Sequence, residues 1–340
     1  MLMIYCWLCT ALATSVAGAP RMHRSYLGWA SRLEASADGG HPEPAYHFYS
    51  ELHSELAQTV EDWSGRVRPE QIGRTVEGRP IWAFHIRDPG TPVERNVLVT
   101  AQIHALEWVG AEVAMQLIVE QAERPEPGVA LTVIPVLNVD GRMRVESDLR
   151  EGRNLYRRAN AQKVDLNRDF AELREPRALW RHILPGYYAT SPAPLSQPES
   201  RALADLAERE LYDRAMSLHA AGGFIYTPWA GSWERPADHE EMTVLARQMR
   251  GAQGRRPYRV VQLSRFLFFF RGHGMELDHL YARHGTQAFL MELTRGGFIW
   301  TDRSSFKTYF RWYNPVDPDH HIDQGLRALR ILIRTEPVQK

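Results

Sequence analysis

Four short apolar runs set the tightest limit on what this 340-residue chain can fold into. They are NVLVTAQI (96–103), ALTVIPVL (130–137), DRAMSL (213–218) and QAFLMEL (287–293). Each has the length of a central strand, and none approaches the roughly 18 apolar residues of a membrane span. Between them lie segments with apolar residues at helical spacing, such as EWVGAEVAMQLIVEQAER (107–124) and QPESRALADLAERELY (197–212). Apolar runs without alternation are strands buried on both faces, and intervening helices supply the cover. The pattern predicts an α/β chain: a three-layer α/β/α domain around a central mixed, mostly parallel twisted sheet. Ligands of such sheets bind beyond the carboxyl ends of the strands. The residues at those ends are His104, Asn138–Asp140, His219 and Glu292.

Upstream, HFYSELHSELAQTVEDW (47–63) places Phe48, Leu52, Leu56 and Val60 at helical spacing. IGRTVEGRPIWAFHIRD (72–88) reads as two short strands around a Glu77–Gly78 turn. Residues 21–44 are polar and rich in Gly and Pro, and read as a leader or linker before a domain spanning 45–340. The first twenty residues, MLMIYCWLCTALATSVAGAP, are apolar and end in small residues spaced like a signal-peptidase site, without a basic n-region. They are a candidate signal peptide, which implies a periplasmic or secreted protein; otherwise the chain is cytoplasmic. Cys6 and Cys9 are the only cysteines, so the folded body has neither a disulfide framework nor a cysteine zinc site. Formal net charge is zero, which argues against nucleic acid or an anionic membrane surface as a partner. No stable membrane insertion of the mature chain is expected. Arginine outnumbers lysine 38 to 3, mainly a codon bias, although guanidinium groups also suit carboxylate recognition.

His104 and Glu107 form a His-x-x-Glu pair. Alone this means little: with 14 histidines, average glutamate usage yields roughly one such spacing by chance. A second pair indeed occurs at His273–Glu276. Context separates the two. His104 closes an apolar run, and a turn into the first helical residues lets an imidazole and a carboxylate three apart face one point. Zinc takes such nitrogen and oxygen ligands, and a catalytic site uses three of them. His219, at the end of AMSLHAAGG, is the candidate third. His273 has glycines on both sides and no strand before it, and reads as a loop residue with a pocket-lining role at most.

Taken in order, these motifs and four further segments resemble the zinc carboxypeptidases of the funnelin type. HALEW is similar to that family's first metal motif, and SLHAAGG to its third-ligand strand. NVDGR (138–142) is similar to its NPDG turn, with Val139 in place of proline. RANAQKVDLNRDF (158–170) resembles RxNxxGVDLNRNF, with Lys163 for glycine and Asp169 for asparagine. PLSQPES resembles the helix-opening SEPET, and FLMEL ends at the position of the catalytic glutamate. The resemblance covers about residues 46–335, and the short RxNAQK spacing is closer to regulatory and bacterial members than to digestive ones.

The resemblance implies a zinc carboxypeptidase-like fold with one zinc ion per chain, bound by His104, Glu107 and His219. It implies that Arg158 polarises the scissile carbonyl and that Glu292 is the general base. Asn167 and Arg168 would grip the free α-carboxylate of a peptide substrate. Physical chemistry supports each role: a metal can bring a water pKa to about 7, a nearby carboxylate can take its proton, and a guanidinium pairs bidentately with a carboxylate. Phe270 falls where the family has a mobile phenol and cannot donate a hydrogen bond; Tyr281 is the donor a gap would bring in instead. Leu277, just before Asp278, falls at the floor of the specificity pocket and implies release of an uncharged aliphatic or aromatic residue. Were Glu276 to face the substrate instead, the preference would be Lys or Arg. Leu106 stands where some members carry a second substrate-binding arginine. The implied activity is hydrolysis of a C-terminal peptide bond. The same ligands would also serve a deacylase or murein-peptide amidase, or persist in a non-catalytic peptide-binding relative.

Overall fold

The computed structural model describes residues 20–34, 42–175, 177–183, 185, 188–267, 270–295 and 307–336. The candidate signal segment up to residue 19 lies outside the described residues. The four apolar runs form β3 (Arg95–Ala101), β4 (Val129–Ile134), β5 (Arg214–Ala220) and β8 (Gln287–Leu293), four adjacent strands paired in parallel. The expected hairpin forms β1 (Val67–Arg74) and β2 (Pro80–Arg87), which pair antiparallel, and β2 in turn pairs antiparallel with β4. Two strands of four residues each, β6 (Phe224–Thr227) and β7 (Arg259–Gln262), complete a sheet ordered β1-β2-β4-β3-β5-β8-β6-β7. β6 runs antiparallel to β8 and parallel to β7. The sheet is therefore mixed and mostly parallel, as expected.

Helices cover both faces, and β5 shows how. Leu218 lies against Gly110 of α3 (Val109–Glu123), while its neighbour Ser217 meets Glu276 of α8 (Glu276–His284) on the opposite face. With α3 pack α2 (Tyr49–Asp62) and α9 (Asp319–Arg334), and α9 also carries α7 (His239–Ala252). Phe48, Leu52, Leu56 and Val60, the residues with helical spacing, are all buried. After the single turn α5 (Trp180–Ile183), α6 (Pro198–Glu210) packs with α8 and on β1.

Residues 21–44 contain more structure than a linker. Pro20–Glu34 forms helix α1, which packs on α2 and β1. Tyr26 and Ala30 are buried, with the Tyr26 ring edge-on to Trp82 at 4.9 Å and to Phe84 at 5.3 Å. Tyr26, Trp29, Ala30 and Leu33 follow helical spacing, a signal that the polar composition of the segment obscures.

NVDGR is a helix start as well as a turn. Asn138 precedes α4 (Val139–Arg150), and its Oδ1 accepts the Gly141 N–H at 3.0 Å. The Asn138 Nδ2 donates to the carbonyl of Ile103 at 3.2 Å, so the cap also holds the strand end beside His104. Asp140 accepts from the Thr75 hydroxyl at 2.7 Å and the Glu77 N–H at 2.8 Å, which ties the β1–β2 turn to the same helix. A Cβ on Gly141 would lie 2.6 Å from the Ala105 Cβ and 2.7 Å from the Asn138 Oδ1. Glycine is required there by close approach. Gly141→Ala should lower stability by about 1–3 kcal/mol through overpacking. Gly251→Ala, in α7 with nothing within 4 Å, should raise it by about 0.4–1 kcal/mol through the unfolded state. Urea unfolding of the two variants checks the contrast, and equal effects would refute it.

Candidate metal centre and active site

Strand register assembles the site. Residues paired across adjacent strands project from the same face. His219 on β5 pairs with Glu292 on β8, and Glu292 with Phe224 on β6. One row below, Thr100, Ser217, Leu290 and Tyr226 are paired in the same way. Beyond β3 the chain turns, with the Glu107 N–H donating to the His104 carbonyl at 3.2 Å, and enters α3. Trp108 cannot cap that helix. Asn314, far along the chain, does so: its Oδ1 accepts the N–H groups of Trp108 (2.9 Å) and Val109 (3.2 Å), and its Nδ2 donates to the Leu106 carbonyl at 2.7 Å.

His104, Glu107 and His219 offer ligand atoms that all lie within 4.8 Å of one another. The His104 Nδ1 is 2.8 Å from one Glu107 oxygen, the His219 Nδ1 2.9 Å from the other, and the two Nδ1 atoms are 3.1 Å apart. All three side chains are buried. Burial pushes the His219 imidazole down to about 4, so it is neutral with a lone pair to give at neutral pH. Burial alone would raise the Glu107 carboxyl, but the two imidazoles outweigh it and hold it well below the usual range. Two imidazoles and a carboxylate form a donor set that fits zinc. Each far imidazole nitrogen has a partner: the His104 Nε2 meets Asp165 at 3.1 Å, and the His219 Nε2 meets the Ser217 hydroxyl at 3.1 Å. Such partners orient ligating imidazoles.

Asp165 is a site residue that the motif reading passes over. It also accepts the Arg158 Nε–H at 2.9 Å and the Asn167 N–H at 3.0 Å. Arg158 further approaches Glu107 at 3.3 Å. Burial would lower the Arg158 pKa, but Asp165, Tyr156 and Glu107 hold it above its ordinary value. The Asn167 Oδ1 accepts the Glu276 N–H at 2.9 Å, which leaves its amide hydrogens as the donors at the cavity wall. Arg168 is buried over the Tyr188 ring, its NH1 donates to the Asn167 carbonyl at 2.6 Å, and its Nε has no partner. Among the described residues no carboxylate lies within ion-pair distance of it. Of the two departures in this segment, only Asp169 is explained by its surroundings. Lys163 adopts φ 63°, a left-handed value that favours glycine. Asp169 accepts from Ser191, Ser196, Gln197 and Ser200, and a carboxylate is acceptor-only on both oxygens.

His104, Glu107, His219, Arg158, Asn167, Arg168, Glu292 and Phe270 all line one cavity of about 360 Å³. Burial and the nearby Glu107 raise the Glu292 carboxyl well above its ordinary pKa, against the pull of Arg158, and its Oε2 has no hydrogen-bond partner. Leu277 does not belong here: it is buried in the core, and the apolar wall is built instead by Phe224, Leu263, Phe266, Met275 and Leu290. Inside helix α8 Leu277 packs in the core, whereas Met275, the residue before the helix, still lines the cavity. Glu276 does not line it either; its carboxylate accepts from Thr100 at 2.6 Å and Ser217 at 2.8 Å. Tyr281 packs on Trp229 at 4.9 Å away from the cavity, whose described phenols are Tyr226 and Tyr313. His273 faces the Leu173 carbonyl at 2.9 Å, outside the metal cluster.

The family model for zinc carboxypeptidases matches residues 52–310, more than half of the chain. The chain belongs to the zinc carboxypeptidase family. Carboxypeptidase O of Bos taurus is 23% identical over 226 residues, 61% of this chain and 59% of that protein. Carboxypeptidase B2 of Bos taurus is 24% identical over 222 residues, 60% of this chain and 51% of that protein. The chain thus spans between half and three-fifths of these curated relatives. Among solved structures, thrombin-activatable fibrinolysis inhibitor superposes with a TM-score of 0.70 at 20% identity, covering 91% of this chain and 79% of the other. At that identity the likeness shows a shared fold. No helix among the described residues is long and apolar enough to cross a membrane.

His219→Ala should empty the metal site, since two protein ligands seldom hold catalytic zinc. His273→Ala should leave zinc content unaltered. Metal analysis of the purified variants checks both, and loss of zinc on changing His273 would mean that the other His-x-x-Glu pair binds it.

Proposed function

We infer that the protein is a zinc-dependent metallocarboxypeptidase that hydrolyses the C-terminal peptide bond of a peptide with a free carboxylate. The observation that carries this reading is Arg168, a buried guanidinium without a carboxylate partner among the described residues, opening into the cavity that holds the metal triad and Glu292. A buried cation needs an anion, and the α-carboxylate of a chain end supplies one that internal peptide bonds lack. Zinc on His104, Glu107 and His219 would supply a Lewis acid that acidifies a water molecule. Glu292, its carboxyl raised by burial and by Glu107, takes the proton from the attacking water and delivers it to the departing amine. Arg158, anchored by Asp165, stabilises negative charge developing on the scissile carbonyl oxygen. Asn167 donates its amide hydrogens to the terminal carboxylate beside Arg168. The apolar wall suits an uncharged aliphatic or aromatic side chain on the released residue. Export through the N-terminal apolar segment agrees with a peptide substrate outside the cytoplasm.

Arg168→Ala should cost about 2–5 kcal/mol in kcat/KM on free-acid peptides and spare their amidated counterparts, which lack the charge it recognises. Equal losses on both would reject carboxylate recognition and favour a deacylase or amidase on the same ligands. Glu292→Gln should retain full zinc content yet lose turnover by about 10²–10⁴-fold. Near-normal rates in that variant would exclude Glu292 as the base.

A further inference from the structure

Glu276 is a fully buried carboxylate that the mechanism leaves unused. It opens α8 and reaches under the sheet rows to two hydroxyls, Thr100 on β3 and Ser217 on β5. Burial raises its carboxyl pKa, and the two hydroxyl donors oppose that rise. Each hydroxyl owns one hydrogen. The Thr100 hydrogen goes to Glu276 Oε1 at 2.6 Å, its approach to Ser217 being longer at 3.3 Å. The Ser217 hydrogen goes to Glu276 Oε2 at 2.8 Å. The Ser217 oxygen can then only accept from the His219 Nε2, 3.1 Å away. The only other contact of that nitrogen, the Asn167 Nδ2, is longer at 3.5 Å, so the ring proton of a neutral His219 is assigned to Nε2 and the Nδ1 lone pair is directed at Glu107 and His104.

We propose that Glu276 is a positioning residue for the metal centre: through Ser217 it selects the His219 tautomer whose Nδ1 can ligate. This rests on the reading of His219 as a metal ligand. Without the carboxylate, the Ser217 hydroxyl turns its hydrogen to the His219 Nε2, and the proton of the neutral ring moves to Nδ1, where it opposes the metal. Asp165 performs the corresponding service for His104, so the two imidazoles are fixed by two separate carboxylates, one direct and one relayed. The same geometry removes Glu276 from the substrate's reach, because both of its oxygens are engaged below the cavity floor.

The test is zinc affinity by chelator competition, with the visible spectrum of the cobalt-substituted protein as a second readout. His219→Ala, Glu276→Met, Ser217→Ala and the Glu276→Met/Ser217→Ala pair are compared, with folding checked by apo-protein unfolding. Glu276→Met and Ser217→Ala should each weaken zinc by about 10–100-fold and shift the cobalt bands. The pair should bind no more weakly than Ser217→Ala alone, because Glu276 acts only through that hydroxyl. The ratio of C-terminal Lys to Phe release should not change. Retained zinc affinity in Glu276→Met, an added loss in the pair, or a collapse confined to Lys release would overturn the proposal. If Glu276→Met does not fold, Ser217→Ala decides alone: unchanged zinc affinity there removes the relay. His219→Ala separates the failures, since zinc retained in that variant would reject the metal site itself.

Discussion

Asp165 holds an imidazole, a guanidinium and a backbone turn at once, and the geometry of the site depends on it. Its two oxygens accept from the His104 Nε2, the Arg158 Nε–H and the Asn167 N–H. Burial would push its carboxyl up, but Arg158, His104 and Arg168 outweigh that and hold it well below the ordinary range. A charge this buried persists only where its partners satisfy it. The consequence is that the His104 imidazole, the Arg158 guanidinium and the Asn167 backbone cannot drift relative to one another. They share one anchor.

Around that anchor the sheet supplies direction. Parallel strands β3, β5 and β8 end together, so their last residues meet at one rim, and the register places His219, Glu292 and Phe224 in one row. The row below carries Thr100 and Ser217, whose hydroxyls face α8. Close packing holds the loop between β3 and α3 against this rim. Gly141 admits Ala105, and Asn314 caps the helix that follows. Polar groups at the rim are thus buried without being abandoned, and two atoms without a hydrogen-bond partner, the Glu292 Oε2 and the Arg168 Nε, belong to residues that line the cavity.

The candidate metal group was legible in the sequence because two of its members are local and the third sits at another strand end. His104 and Glu107 sit three apart at a strand end, and His219 closes another apolar run, so a strand–turn–helix reading suffices to suggest that they meet. The residues that orient them were not. Asp165, Ser217, Glu276 and Asn314 lie 61, 2, 59 and 205 to 208 positions from the groups they contact, and only packing brings the distant ones near. Leu277 packs in the core and Glu276 bonds to Thr100 and Ser217, so neither lines the cavity, and the sequence does not carry the orientation of the helix start that decides this. Helix α1 was hidden by composition: its apolar stripe of Tyr26, Trp29, Ala30 and Leu33 is diluted by polar neighbours.

The sequence by itself determined the α/β class, the four central strands and the His104–Glu107 pair, because periodicity and local spacing act within a few residues of each other. Tertiary structure decided which carboxylates meet the imidazoles, which side chains line the cavity, and that Glu276 points at Ser217 instead of into the cavity. The reason is that a hydrogen bond is fixed by distance and direction across elements, and neither is written in the order of the residues.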